Sequence, residues 1–284
     1  MNRLVPFLFI GVFIAVSVVF MVAPTVMLIF QSVEGEHGAT LEYLQSLGEY
    51  RYAIAFKNSL ILSILSGVIG VVVGGLVAHS VLKPGAPSWL RSATTSFAAV
   101  AANFAGVPLA FAFVSTLGTL GLLTTVLKNI GLDIYDLGFS LYSLGGLALV
   151  YSYFQIPLMV IIISPAIQAL RGEWREASEN LGATPAQYWR LVGFPVLLPS
   201  LLSAFILLFG NAFSAYATAY ALTSGNIGLL PTEIGNVLSG NVMASPQTGA
   251  ALAVAMIGVM AVVLVINAIA SQRAARWTAG GRGR

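Results

Sequence analysis

Residues 143–193 read SLGGLALVYSYFQIPLMVIIISPAIQA followed by LRGEWREASENLGATPAQYWRLVG. No charged residue occurs between Ser143 and Leu170, a length greater than the roughly 20 residues that cross a bilayer as a helix. From Arg171 onward the charges crowd together as Arg171, Glu173, Arg175, Glu176, Glu179 and Arg190, beside Trp174 and Trp189. Such a boundary reads as a membrane span running into a polar loop, with tryptophans of the kind that settle at an interface or a protein contact. Within the loop, Glu173 to Leu181 suits a short helix. Gly182 suits the left-handed position just past its end, and Thr184-Pro185-Ala186-Gln187 suits a capping box with proline at the first helical position. The expectation is helix, turn, helix, ending where the next apolar run begins.

The same alternation extends in both directions. Apolar runs lie near 7–30, 58–82, 93–117, 143–169, 194–222 and 248–271. The composition, 58% hydrophobic and 8% charged, departs from the roughly 25% charge of a soluble domain. The predicted fold is an all-α integral membrane protein of six transmembrane helices in one domain, 1–284. The first run is longer than the about 7–15 residue core of a signal peptide and is kept as a span. Of the 13 Lys and Arg, all but Arg51, Lys57 and Lys128 fall on one side of this arrangement, which predicts that both termini and the loop 171–193 are cytoplasmic. The basic excess follows from that bias and points to no nucleic acid. The external loop 31–57 is expected to carry a short amphipathic helix through Leu41, Leu44, Leu47 and Tyr52. The loop 223–247 is expected to hold a scoop or re-entrant piece around Ile234–Leu238.

Glu176, Ala177, Ser178, Gly182, Val192, Phe194 and Pro195 reproduce the spacing of the "EAA" loop, which is Glu-Ala-Ala, three residues, Gly, nine residues, Ile-x-Leu-Pro. On that spacing the chain resembles the permeases of binding-protein-dependent ABC importers, the MetI-like family. Asn58-Ser59-Leu60 at the head of the second span is similar to the same family. The resemblance implies a coupling helix-turn-helix between helices 4 and 5 that docks on a cytoplasmic ABC ATPase dimer, with Glu176, Ala177, Ser178, Gly182 and Pro195 at the contact. It further implies a second permease subunit, identical or related, an extracytoplasmic substrate-binding protein, and residence in the bacterial cytoplasmic (inner) membrane. The segment from Leu41-Glu42-Tyr43 and the long fifth-to-sixth loop look most like polyamine permeases. Those for iron, thiamine, sulfate or aminoethylphosphonate stand next.

Several chemistries have no residues to carry them. The six runs as drawn contain no Asp, Glu, Lys or Arg, whereas proton-coupled carriers keep ionisable groups inside the membrane; this weighs against the alternative of a stand-alone secondary carrier or channel. His79 is read as an interfacial polar residue. No phosphate-binding Gly-x-x-x-x-Gly-Lys-Ser/Thr loop is present, so ATP hydrolysis is expected from a partner. Two histidines and 0 cysteines point to no catalytic residue, metal or cofactor. The polar uncharged residues of the later spans, Asn103, Tyr151, Gln155, Asn211, Ser214 and Thr218, are read as pathway-lining. Asn211, Ser214 and Thr218 are expected on one face of the fifth span. Gly70-xxx-Gly74 is read as a packing face, and Pro24, Pro108 and Pro157 as kinks.

Overall fold

The computed structural model describes residues 4–35, 38–83, 85–240 and 245–279, the side chains of 4–8 and 273–279 excepted. The arginines of both termini therefore lie outside the described side chains. Helix α1 runs from Leu4 to Gln31 through a π turn at Val18–Val22. That turn stands just before Pro24, where the widened ring accommodates a residue that has no N–H and crowds the preceding carbonyls. A two-residue hairpin, Glu34–Gly35 against Gly38–Ala39, follows. The remaining helices are α2 (Glu42–Gln45), α3 (Tyr50–Leu82), α4 (Ser88–Asn103), α5 (Val107–Leu117), α6 (Leu122–Asn129) and α7 (Leu144–Gln168). They continue as α8 (Gly172–Asn180), α9 (Pro185–Ser214), α10 (Ala217–Thr223), α11 (Leu230–Leu238) and α12 (Pro246–Ala279).

Among the described residues, 6 helical stretches are long and apolar enough to cross a membrane. The third of these differs from the expected 93–117. It is Val107–Asn129, because the chain leaves the helix at Phe104–Gly106 and Gly106 takes φ 75, a conformation open mainly to glycine. Pro108 is accordingly no kink: it sits in the first turn of α5, where its missing N–H costs nothing. The second stretch starts at Tyr50, not at 58, so Arg51 and Lys57 belong to it after all. The amphipathic helix expected in 31–57 shrinks to α2 and a 3-10 turn at Ser46–Gly48.

The described residues form two compact units, Met1–Phe56 with Gly228–Met260 and Lys57–Ile227 with Ala261–Arg284. In the second unit, α7 is the central helix: it is apolar around its whole circumference, and Leu147, Val150, Tyr151, Met159 and Ile163 are all at most 1% exposed. Its Met159, Val160 and Ile163 pack with Ala78 and Leu82 of α3, Ala98 of α4, and Ala204 and Leu208 of α9.

The glycines of α3 set the closeness of this packing. A Cβ on Gly74 would lie 2.6 Å from the Ile156 carbonyl oxygen and 2.7 Å from Met159 Cβ, and one on Gly70 would lie 3.1 Å from Gln155 Cβ. The small-residue face thus serves contact within the chain. Gly74→Val is expected to force α3 away from α7 and to destabilise the fold by about 1–3 kcal/mol. A lowered melting temperature in detergent, with the corresponding Gly258→Val change near neutral, would show it, since nothing lies within 4 Å of a Cβ at Gly258.

In the first unit, α11 buries Leu230, Pro231, Thr232, Glu233 and Val237. The Glu233 carboxylate, 3% exposed, receives Arg51 Nε at 2.8 Å and Nη2 at 2.6 Å. A fork of two N–H groups on one carboxylate oxygen is what makes burial of that charge tolerable.

Candidate functional site

The loop between α7 and α9 has the local geometry its sequence implies. Helix α8 ends with Gly182 at φ 78. The Ala183 N–H donates to Ser178 O at 3.0 Å and the Gly182 N–H to Glu179 O at 2.9 Å, the crossed pair that closes a helix on a left-handed residue. Directly afterwards the Gln187 N–H donates to Thr184 Oγ1 at 3.3 Å, and the Thr184 N–H donates to Gln187 Oε1 at 2.7 Å. Both halves of the capping box are made, with Pro185 in the first turn. The helix begun there does not stop at the membrane: it passes through a π turn at Trp189–Gly193 and continues to Ser214. Pro195 sits just beyond the π turn, as Pro24 does in α1.

The loop is tied to the bundle by its aromatic residues. Tyr188 is buried. The Trp189 ring meets His79 of α3 edge-on at 4.6 Å between centroids. It also covers Gly193 so closely that a Cβ there would lie 2.7 Å from Trp189 Cε3. Glu173, Glu176, Ala177 and Glu179 are exposed, and Ser178 is half-buried with its Oγ donating to Arg175 O at 2.7 Å. Arg175 and Glu179 pair at 2.8 Å. The carboxylate holds the guanidinium pKa above its usual value, but an exposed pair of this type adds little stability. Glu176, Ala177 and Gly182 therefore form an open edge on a rigid support.

The polar residues of the spans divide into two groups. Three are spent inside the fold. Tyr151, fully buried, donates from its hydroxyl to Ala215 O at 2.8 Å. Thr218 Oγ1 accepts the Gly106 N–H at 2.8 Å. Gln155 Nε2 donates to Leu208 O at 2.8 Å. Two of these partners mark helix breaks: Ala215 lies between α9 and α10 and Gly106 between α4 and α5, both places where a backbone group would otherwise lack a partner in a membrane. Leu208 lies within α9, and the buried Gln155 Oε1 has no hydrogen-bond partner among the described residues.

The shared face expected for Asn211, Ser214 and Thr218 does not exist, because the helix ends at Ser214 and restarts at Ala217. Asn103, Asn211 and Ser214, by contrast, are exposed, with Asn103 ending α4 and Ser214 ending α9. The periodicity of an apolar run could not reveal these breaks, although Gly106-x-Pro108 carried a signal for the first.

Thr218→Val, which keeps the shape and removes the acceptor, is expected to cost about 1–3 kcal/mol by leaving the Gly106 N–H without a partner. Thermal unfolding in detergent measures it, with Thr218→Ser retaining most of the stability.

The family profile described as the binding-protein-dependent transport system inner membrane component matches residues 70–276. The chain belongs to that family. A Mycoplasma pneumoniae relative, the spermidine/putrescine transport system permease protein PotC homolog, is 25% identical over 190 residues, 66% of this chain and 60% of that protein. A probable sulfate transport system permease protein cysT of Nephroselmis olivacea is 27% identical over 176 residues, 62% of this chain and 57% of that protein. The matched part of this transport component thus spans about 60% of the length of such relatives. Its fold is that of a chain in the crystal structure of a bacterial ABC transporter involved in the import of the acidic polysaccharide alginate, with a TM-score of 0.71, 19% identity, and 95% of this chain and 94% of that chain covered.

Proposed function

We propose that this component is the transmembrane permease subunit of an ATP-driven ABC importer in the inner membrane. It passes a small polar solute from an extracytoplasmic binding protein to the cytoplasm. The observation that carries the reading is the loop itself: an exposed Glu176-Ala177 edge on α8 beside a half-buried Ser178, a glycine-closed turn, and a helix that continues without interruption toward the next apolar run. A push or pull on α8 is transmitted to α9 through a capping box and a packed tryptophan, with no flexible linker between. In this reading both termini and the loop 171–193 face the cytoplasm, an ATPase dimer grips the loop, and a second permease subunit, identical or related, completes the pathway.

Asn103, Asn211 and Ser214 stand at the edges of the two helix breaks and line the route. Tyr151 and Thr218 hold the breaks in place, and Gln155 ties α7 to α9. Discontinuous helices that present backbone and small polar groups suit a polar solute, and rocking about them supplies alternating access.

A polyamine-like solute is favoured by the Leu41-Glu42-Tyr43 segment and by the Mycoplasma pneumoniae relative. Relatives of similar identity are named for spermidine/putrescine and for sulfate, which supports a reading in which the choice of solute rests chiefly on the binding protein.

The test is co-expression of the tagged chain with candidate ABC ATPases from its own organism, followed by affinity purification in mild detergent. A stoichiometric ATPase is the expected result, and a chain that purifies alone while fully folded would contradict the reading.

A further inference from the structure

Two cavities meet behind the docking loop, within the unit formed by 57–227. One, of about 450 Å3, is lined by four cationic side chains, Lys83, Arg91, Arg171 and Arg175, and by no carboxylate. Arg175 has Glu179 at its outer side, and Arg91 Nη2 reaches Leu82 O at 3.5 Å. The second cavity, also about 450 Å3, is an apolar groove whose walls include Val72, Leu76, Ile163, Leu197 and Leu201. His79, Ile167 and Trp189 line both, with the Trp189 ring standing edge-on against His79 at the junction.

We propose that the paired cavities bind one anionic phospholipid. Its phosphate sits among Lys83, Arg91 and Arg171, and an acyl chain lies in the groove between α3, α7 and α9. Charge alone would suit any small anion. The contiguous apolar groove, with a tryptophan at the seam where headgroup meets hydrocarbon, selects a ligand that is both anionic and aliphatic. Lys83, Arg91 and Arg171, with no carboxylate on the cavity wall and beside an Arg175 already paired with Glu179, select an anionic over a zwitterionic headgroup. Because Arg171 and Arg175 belong to the docking loop while Lys83 and Arg91 do not, an occupied site fastens the loop to the bundle and makes its position sensitive to lipid composition. The bound leaflet is the cytoplasmic one under the function proposed above; binding itself does not depend on that reading.

The purified full-length chain in dodecyl maltoside is titrated with phosphatidylglycerol and with phosphatidylcholine of identical acyl chains, and retention is read by native mass spectrometry. Inorganic phosphate and glycerophosphoglycerol serve as chain-free competitors. Phosphatidylglycerol is expected to bind at least about ten-fold more tightly, and each cation removed is expected to lower its affinity by about five-fold. The Lys83→Gln, Arg91→Gln pair therefore loses roughly 25-fold, while Lys83→Arg retains binding. Gly75→Leu, placed in the groove where the nearest neighbour of a Cβ is Met159 Cε at 3.9 Å, is expected to weaken both lipids. Size-exclusion profiles and circular dichroism confirm folding of each variant.

Equal binding of the two lipids, displacement by inorganic phosphate at concentrations matching the lipid, or an unaltered affinity in folded Gly75→Leu would overturn the proposal. None of these outcomes touches the ATPase purification that tests the docking loop.

Discussion

Glu176→Lys is expected to weaken association with the ATPase by at least about 30-fold and to abolish ATP-dependent uptake, while the chain inserts and folds normally. In the free chain Glu176 is exposed on α8, so its replacement alters fold stability by no more than about 0.5 kcal/mol. Once it is desolvated at a docking contact, the same change removes an attraction and adds a repulsion, and truncation of such a pair alone costs about 2–5 kcal/mol. The measurement is a titration of ATPase against the chain in nanodiscs. Asp136→Lys, in the turn between α6 and α7, serves as the charge-matched control with unchanged affinity. Wild-type affinity and uptake in Glu176→Lys would remove the carboxylate from the contact.

Arg51→Gln is expected to destabilise the chain by about 3 kcal/mol, because it leaves a buried carboxylate without its cation. Glu233 is 3% exposed and takes both guanidinium contacts on one oxygen. The Arg51 side chain keeps 45% exposure, which puts the cost at the lower end of the range for a fully enclosed pair. Replacing both partners with methionine should recover much of the loss, since a well-packed apolar pair avoids the desolvation altogether. Thermal unfolding of the two variants separates the cases. A single mutant that melts with the wild type would mean that Glu233 is protonated or hydrated, not held by Arg51.

The backbone geometry of the loop 171–193 was legible in the sequence because it is local. Gly182, Thr184, Pro185 and Gln187 act on backbone groups within three residues of themselves, and composition at that range is decisive. That there are six apolar stretches was legible, because hydrocarbon thickness is a length, but the second begins earlier than its run and the third is displaced to Val107–Asn129. What escaped was set by contacts distant in the chain. The breaks at Gly106 and Ala215 depend on a threonine and a tyrosine that lie 112 and 64 residues away along the chain and satisfy the freed backbone. An apolar run looks the same whether or not such a partner exists, so the sequence could not show that Tyr151 and Thr218 bond the backbone at the breaks, or that Gln155 bonds Leu208 O within α9. Glu233 escaped in the same way. Nothing near it in sequence shows that Arg51, 182 residues earlier, allows it to be buried.

The central claim, that the loop 171–193 is where an ATPase docks, is tested most directly by cross-linking from single cysteines, in a chain that has 0 of its own. Ala177→Cys, on the exposed face of α8, and Asn226→Cys, in the turn after α10, are each joined to a flexible thiol-to-amine linker in membranes that also contain the ATPase. The account predicts a chain–ATPase product from position 177 whose yield changes with ATP, and none from position 226. A product from 226, or no product from 177 in any nucleotide state, would contradict it.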